Sequence, residues 1–139
     1  MQLTATPIIE SYGGSLIKFE ADNCFAVFED TLPAVRAAIA MQLAFEASNL
    51  LTSDDFDVHI SCGIDYGKIL IIDDVDCFGD AVNRACKLGE DVAAAGEIMV
   101  TRTAMERVPP NTDLHRHEIT ISVSGITIPA FAIKYRTGT

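Results

Sequence analysis

The sequence predicts an α+β domain, a sheet with helices laid on one face, and three features carry that prediction. Apolar runs of strand length recur between Asx- and Gly-containing turns. An Ala-rich segment beginning near residue 33 has helical length and a capped start. The two kinds of element follow one another as helix, two strands, helix, two strands, helix, then short strands. At 139 residues, the span 1–139 has the length of a single domain. Hydrophobic residues make up 49% of it, too many for a disordered chain and enough for one core that buries roughly two-thirds of the unfolded surface.

Residues 1–12 read as the later turns of a helix, stopped by Gly13-Gly14. Two apolar runs, 16–20 and 24–28, flank Ala21-Asp22-Asn23, and the Asx residues between them signal a hairpin with Asp22 at its tip. Asp30 or Thr31 caps the next helix and Pro33 suits its first turn; it runs to about Ser48. Val58, Ile60 and Cys62 alternate with His59 and Ser61, the period of a strand with one buried face. A second, nearly continuous apolar strand at 68–72 is joined to it through Gly63-Ile64-Asp65-Tyr66-Gly67, and delivers 73–78 as a loop. A helix is expected over 79–95, stopped by Gly96; then come a short strand at 97–100, a helical turn at 101–106, Pro109-Pro110, and a hairpin of 118–123 with 127–135 turning at Ser124-Gly125.

Charge and cysteine usage narrow the function classes. Acidic residues outnumber basic ones 20 to 10, and a net charge of −10 repels a polyanionic backbone, which argues against nonspecific nucleic-acid binding. A small anionic ligand needs a local solution, from metal ions or a few converging cations such as Lys18 and Lys87. Cys24, Cys62, Cys77 and Cys86 form no C-x-x-C pair and read as reduced packing residues, which fits a cytoplasmic protein. The first residues lack the basic flank and apolar core of a signal peptide, and no apolar run approaches the roughly 18 residues of a membrane span.

The most informative stretch is Asp76-Cys77-Phe78-Gly79-Asp80-Ala81-Val82-Asn83-Arg84-Ala85-Cys86-Lys87. A Phe-Gly-Asp turn opens a helix on which Asn83 and Lys87, four apart, share a face. An amide and an ammonium there can converge on an oxygen-rich ligand near a helix N-terminus that favours anions, chemistry suited to phosphate. An amphipathic helix whose polar face meets only water has the same pattern.

Four motifs in order, Gly13-Gly14, Lys18-Phe19-Glu20-Ala21-Asp22 with Phe28 after it, Gly63-Ile64-Asp65-Tyr66-Gly67, and the Gly79-Asp80-Ala81-Val82-Asn83 element, resemble the class III nucleotide cyclase catalytic domain. The resemblance continues through Gly96-Glu97-Ile98 and covers essentially the whole chain. It implies the ferredoxin-like βαββαβ nucleotide cyclase fold, mainly antiparallel sheet with helices packed on it. It also implies conversion of a nucleoside triphosphate to a 3′,5′-cyclic nucleotide and pyrophosphate, with two divalent metals, Mg²⁺ or Mn²⁺, at a site shared between the two chains of a homodimer.

By the same resemblance Asp22 is a metal ligand, where the turn alone equally allows a plain turn aspartate. Lys18 and Asp76 read the purine, a donor and an acceptor that match adenine and so imply ATP. Taken singly, they read as an edge-strand charge and a loop acid. Asn83 positions the ribose, and Lys87 stands where an arginine usually stabilises the pentavalent phosphorus. Lysine keeps the charge but not the planar fork. Arg84, one position after Asn83, points off the shared face. Ser124 stands where many members carry a triphosphate-holding lysine. The family's first strand, with the other metal aspartate, would precede Met1, so the span 1–139 is expected to lack the domain's N-terminal portion. The alternative is a catalytically degenerate module that binds a nucleotide or a partner domain without turnover.

Overall fold

The computed structural model describes residues 2–20, 22–53, 55, 57–123 and 125–135. Its elements are α1 (Gln2–Ser11), β1 (Ser15–Glu20), β2 (Asn23–Val27), α2 (Thr31–Leu50), β3 (Cys62–Ile64), β4 (Leu70–Ile72), β5 (Asp76–Phe78), α3 (Asp80–Lys87), a π-helical turn (Leu88–Val92), β6 (Ile98–Thr101), α4 (Arg102–Met105), β7 (His115–Val123) and β8 (Ile126–Lys134). The domain is α+β. β1 pairs with β2 and β4 with β5, both antiparallel, and a four-stranded sheet runs β3-β6-β8-β7, antiparallel except where β3 lies parallel to β6.

The helix α2 starts as its sequence dictates. The Asp30 carboxylate accepts the Thr31 N–H at 2.8 Å, and the apolar side of the helix buries Val35, Ala37, Ala38 and Phe45. Val35 and Ala38 pack with Ile98 and Val100 of β6, Ala104 and Met105 of α4, and Ile133 of β8. Met99, between Ile98 and Val100, packs instead with Leu88, Ile121 and Ala130. Successive residues of a strand face opposite sides, so α2 and the π-helical turn lie on opposite faces of the sheet. The expectation of helices on one face is corrected by that alternation.

Three local departures from the sequence reading have physical causes. The strand expected at 58–62 begins only at Cys62, because the backbone before it is answered by side chains and a loop. Asn49 brackets Val58 with two hydrogen bonds of 2.9 Å, Gln42 donates to the Ile60 carbonyl at 3.1 Å, and the Gly96 N–H donates to the same carbonyl at 2.7 Å. The loop expected at 73–78 is half strand: Asp73 and Asp74 take φ of 50° and 57°, and the Val75 N–H donates to the Ile72 carbonyl at 3.0 Å. Positive φ at both central residues is the turn that matches strand twist, so Asp76–Phe78 returns as β5. The helix expected over 79–95 is α-helical only to Lys87. It widens where it presses on β3: a Cβ on Gly63 would stand 2.1 Å from the Ala85 carbonyl oxygen and 2.5 Å from the Gly89 nitrogen.

Candidate functional site

Lys18 and Asp76, 58 residues apart in sequence, meet where β1 passes β5. The Lys18 ammonium donates to Asp76 Oδ1 at 2.7 Å and also lies 3.1 Å from the Glu20 carboxylate. Its Nζ sits 5.0 Å from the centre of the Phe25 ring, within cation–π reach. Strand period places Glu20 beside Lys18, and a bulge between Leu16 and Lys18 interrupts the β1–β2 register there. Asp76 Oδ1 accepts the Cys77 N–H as well, at 2.9 Å. The hydrogen bonds to Asp76 and then Glu20 raise the Lys18 pKa, and the Lys18 bond holds the Asp76 carboxyl below its ordinary value. An ammonium and a carboxylate side by side offer a donor and an acceptor to one planar edge, and both side chains stay partly open to solvent, at 27% and 36% exposure.

The second group lies on α3. Gly79 opens that helix with φ 145°, a conformation glycine tolerates, and a Cβ there would stand 3.0 Å from the Lys68 carbonyl oxygen. Asn83 and Lys87 are both exposed and four residues apart, hence on one face. Lys87 lies 3.3 Å from the Asp91 carboxylate on the π-helical turn. Arg84 points elsewhere. Its Nε donates to Asp65, whose side chain is wholly enclosed, and Asp65 Oδ1 also accepts the Tyr66 N–H at 2.8 Å and the Thr101 hydroxyl.

Asp22 is exposed in the turn between β1 and β2. Among the described residues no three His, Cys, Asp or Glu side chains gather into a metal-binding group. A lone exposed carboxylate fits one Mg²⁺-type ion that keeps its waters and takes other ligands from substrate phosphates; it does not by itself hold two. Ser124 lies outside the described residues.

No family model matches the chain. In sequence it is 30% identical over 108 residues to the "Putative adenylate cyclase 3" of Rhizobium meliloti (strain 1021), an alignment that takes in 78% of this chain and 18% of that protein. In structure it matches an adenylate/guanylate cyclase/hydrolase from Silicibacter pomeroyi with a TM-score of 0.79 and 26% identity, covering 93% of this chain and 77% of the other. The chain has the fold of the class III adenylyl/guanylyl cyclase catalytic domains and resembles a cyclase in sequence. The adenylyl cyclase CyaB from P. aeruginosa has the same fold, with a TM-score of 0.77, 22% identity, and coverage of 96% and 78%. The chain thus spans about a fifth of the length of its curated cyclase relative, and three-quarters or more of these two cyclase structures.

Within this cyclase fold the structure brings Lys18 to Asp76 and places Asn83 beside Lys87. It leaves Asp22 exposed on the β1–β2 turn, in no group of three or more possible metal ligands among the described residues. Sequence reasoning missed three partners. Glu20 was legible from its position two residues after Lys18 on a strand, and Asp91 from its place four after Lys87. Asp65 stood in a recognised motif, but its side-chain partners Arg84 and Thr101 lie 19 and 36 residues away and left no signal beside it.

Proposed function

We propose that this chain is part of an adenylyl cyclase domain that, when complete, converts ATP to 3′,5′-cyclic AMP and pyrophosphate, working as a homodimer with Mg²⁺ or Mn²⁺. The observation that carries the reading is the 2.7 Å contact of Lys18 with Asp76, at the two positions where the family reads the base. Adenine presents a ring-nitrogen acceptor next to an amino donor, which complements an ammonium beside a carboxylate. Guanine presents the reverse. The dimer is supported by the β4–β5 hairpin, which carries Asp76 and leaves Leu70, Ile71, Ile72, Val75 and Phe78 exposed, an apolar stretch of the kind that marks a protein interface.

In this reading Lys18 and Asp76 fix the base, and the Asn83 amide orients the ribose so that its 3′-oxygen lies in line with the α-phosphorus. The 3′-hydroxyl gives its proton to solvent, the bond from the 3′-oxygen to phosphorus forms as the bond to the pyrophosphate oxygen breaks, and pyrophosphate departs with the electron pair. Lys87 answers the charge gathering on the phosphoryl oxygens, for which it must leave Asp91. Asp22 would hold one divalent cation, which supplies charge neutralisation and lowers the proton affinity of the 3′-hydroxyl.

The test is direct: incubate the complete domain with ATP or GTP and either cation and resolve the products. Cyclic AMP from ATP, well above cyclic GMP from GTP, is expected. The ion pair of Lys87 with Asp91 favours a second reading, a cyclase-like module that binds nucleotide without turning it over. ATP binding with no cyclic product would select that reading.

A further inference from the structure

We infer that Asp65 and Arg84 form a latch that positions Asn83, with Asp65 acting through Arg84 and the α3 backbone rather than on the nucleotide. The inference rests on the cyclase reading for its kinetic arm alone. α3 is thinly anchored in the core: from Asp80 to Lys87 only Ala81 is buried, and the next buried side chain is Leu88 in the π-helical turn. Beyond the close backbone approach of Gly63 to Ala85, such a helix has little apolar packing to fix its rotation about its own axis. What it has is Arg84, adjacent to Asn83, donating through Nε to a carboxylate with no solvent exposure.

Asp65 is well placed to act as the fixed end of that latch. It follows β3 directly, and its Oδ1 accepts both the Tyr66 N–H and the hydroxyl of Thr101, at the end of β6. Thr101 in turn caps α4, accepting the Ala104 N–H at 3.2 Å. One carboxylate therefore ties α3 to the two parallel strands at the sheet's edge. Gly67 completes the seat, because a Cβ there would stand 3.2 Å from the Ala81 side chain and 3.9 Å from Arg84 Nη2. An Asn83 amide that must meet a ribose depends on this rotation, and a displacement of about 1 Å at such a group costs roughly a hundredfold in rate.

The guanidinium is 44% exposed, so substitution there tests the latch without emptying the core. Arg84→Met should lower kcat about tenfold and leave KM within about twofold, a loss of alignment smaller than the hundredfold ceiling. Arg84→Lys, which keeps the charge and one donor, should recover part of it. Combined with Asn83→Ala, Arg84→Met should add less than its full separate loss, because much of what Arg84 secures is the placing of the Asn83 amide. An unchanged kcat in Arg84→Met, or losses that multiply in the double variant, would overturn the latch. If the wild-type protein makes no cyclic nucleotide, the cyclase reading fails by itself, and the latch is read from the Asn83 side-chain amide resonances, assigned by their loss in Asn83→Ala. They should shift in Arg84→Met and stay near wild type in Arg84→Lys; unmoved resonances in Arg84→Met refute it.

Discussion

Lys18 and Asp76 meet at the β1–β5 corner already bonded to one another, whereas Asn83 and Lys87 stand on an exposed helix face where Lys87 is paired with Asp91 of the same helical segment. The first pair is assembled by tertiary structure, from strands 58 residues apart, and holds its donor and acceptor in place before any ligand arrives. The second is assembled by helix period alone, and its cation is spoken for by a neighbour. The contrast teaches that the Lys18–Asp76 pair is fixed within one chain, while under the proposed function Lys87 waits for an anion strong enough to draw it from Asp91.

The contrast breaks most visibly at Asn83. Asn83→Ala should reduce kcat by about a hundredfold or more, the usual loss when one oriented polar group leaves a reacting centre, with an unchanged thermal midpoint because the side chain is exposed. Near-normal turnover in that variant would remove α3 from the site. Next in size is base choice. Lys18→Glu with Asp76→Cys reverses one polar contact and weakens the other. At about 1–3 kcal/mol per contact, the ratio of kcat/KM for ATP over GTP should fall roughly ten- to a hundredfold. A wild-type preference for GTP would defeat the assignment outright.

Asp91→Asn sharpens the comparison from the other end. Releasing Lys87 from an exposed pair worth about 0.2–0.5 kcal/mol should raise kcat by no more than about twofold; a large loss instead would make Asp91 part of the site. The smallest effect is with pH. The Asp76 pKa is lowered, chiefly by its bond from Lys18, so the stabilisation it brings is complete above the unfolded carboxylate value of about 3.9 and is lost as pH falls through the lower folded value. The Lys18 pKa is raised, chiefly by Asp76, so its contribution is complete below the unfolded value of about 10.4 and is lost as pH rises through the higher folded one. Between about pH 5 and 9 the ATP-over-GTP ratio should therefore stay flat, and a midpoint inside that window would mean that another group reads the base.

Much of the fold was legible because the relevant signals are local. The Asp30 cap with Pro33, the Asx turn around Asp22 and the Gly13-Gly14 stop each act within a few residues, and α2, the β1–β2 hairpin and α1 lie close to where they point. The signals that misled were also local, and tertiary contacts outweighed them. Alternation at 58–62 gave way to Asn49 and Gln42, two polar side chains of α2 that take the backbone bonds a ladder would have used. The widening of the helix after Lys87 follows from the closeness of Gly63, which no pattern within 79–95 records. The candidate site divides the same way. The Asn83–Lys87 face is read directly from spacing, Lys18 with Asp76 needed the family resemblance before the structure joined them, and the enclosed Asp65, named only as part of a motif, showed its role once Arg84 and Thr101 were seen to converge on it.

The most direct test of the central claim, that the polar groups of one active site are divided between two copies of the chain, is complementation. Asp22→Ala and Asn83→Ala proteins, each inactive alone, are mixed and allowed to exchange subunits, which is followed independently by two distinguishable tags. In the mixed dimer both lesions fall in one site and the other is intact, so a two-fold symmetric assembly predicts recovery of cyclic AMP formation in proportion to the mixed dimers present. Confirmed exchange with no recovered activity contradicts the divided site, and leaves the cyclase-like binding module as the better reading.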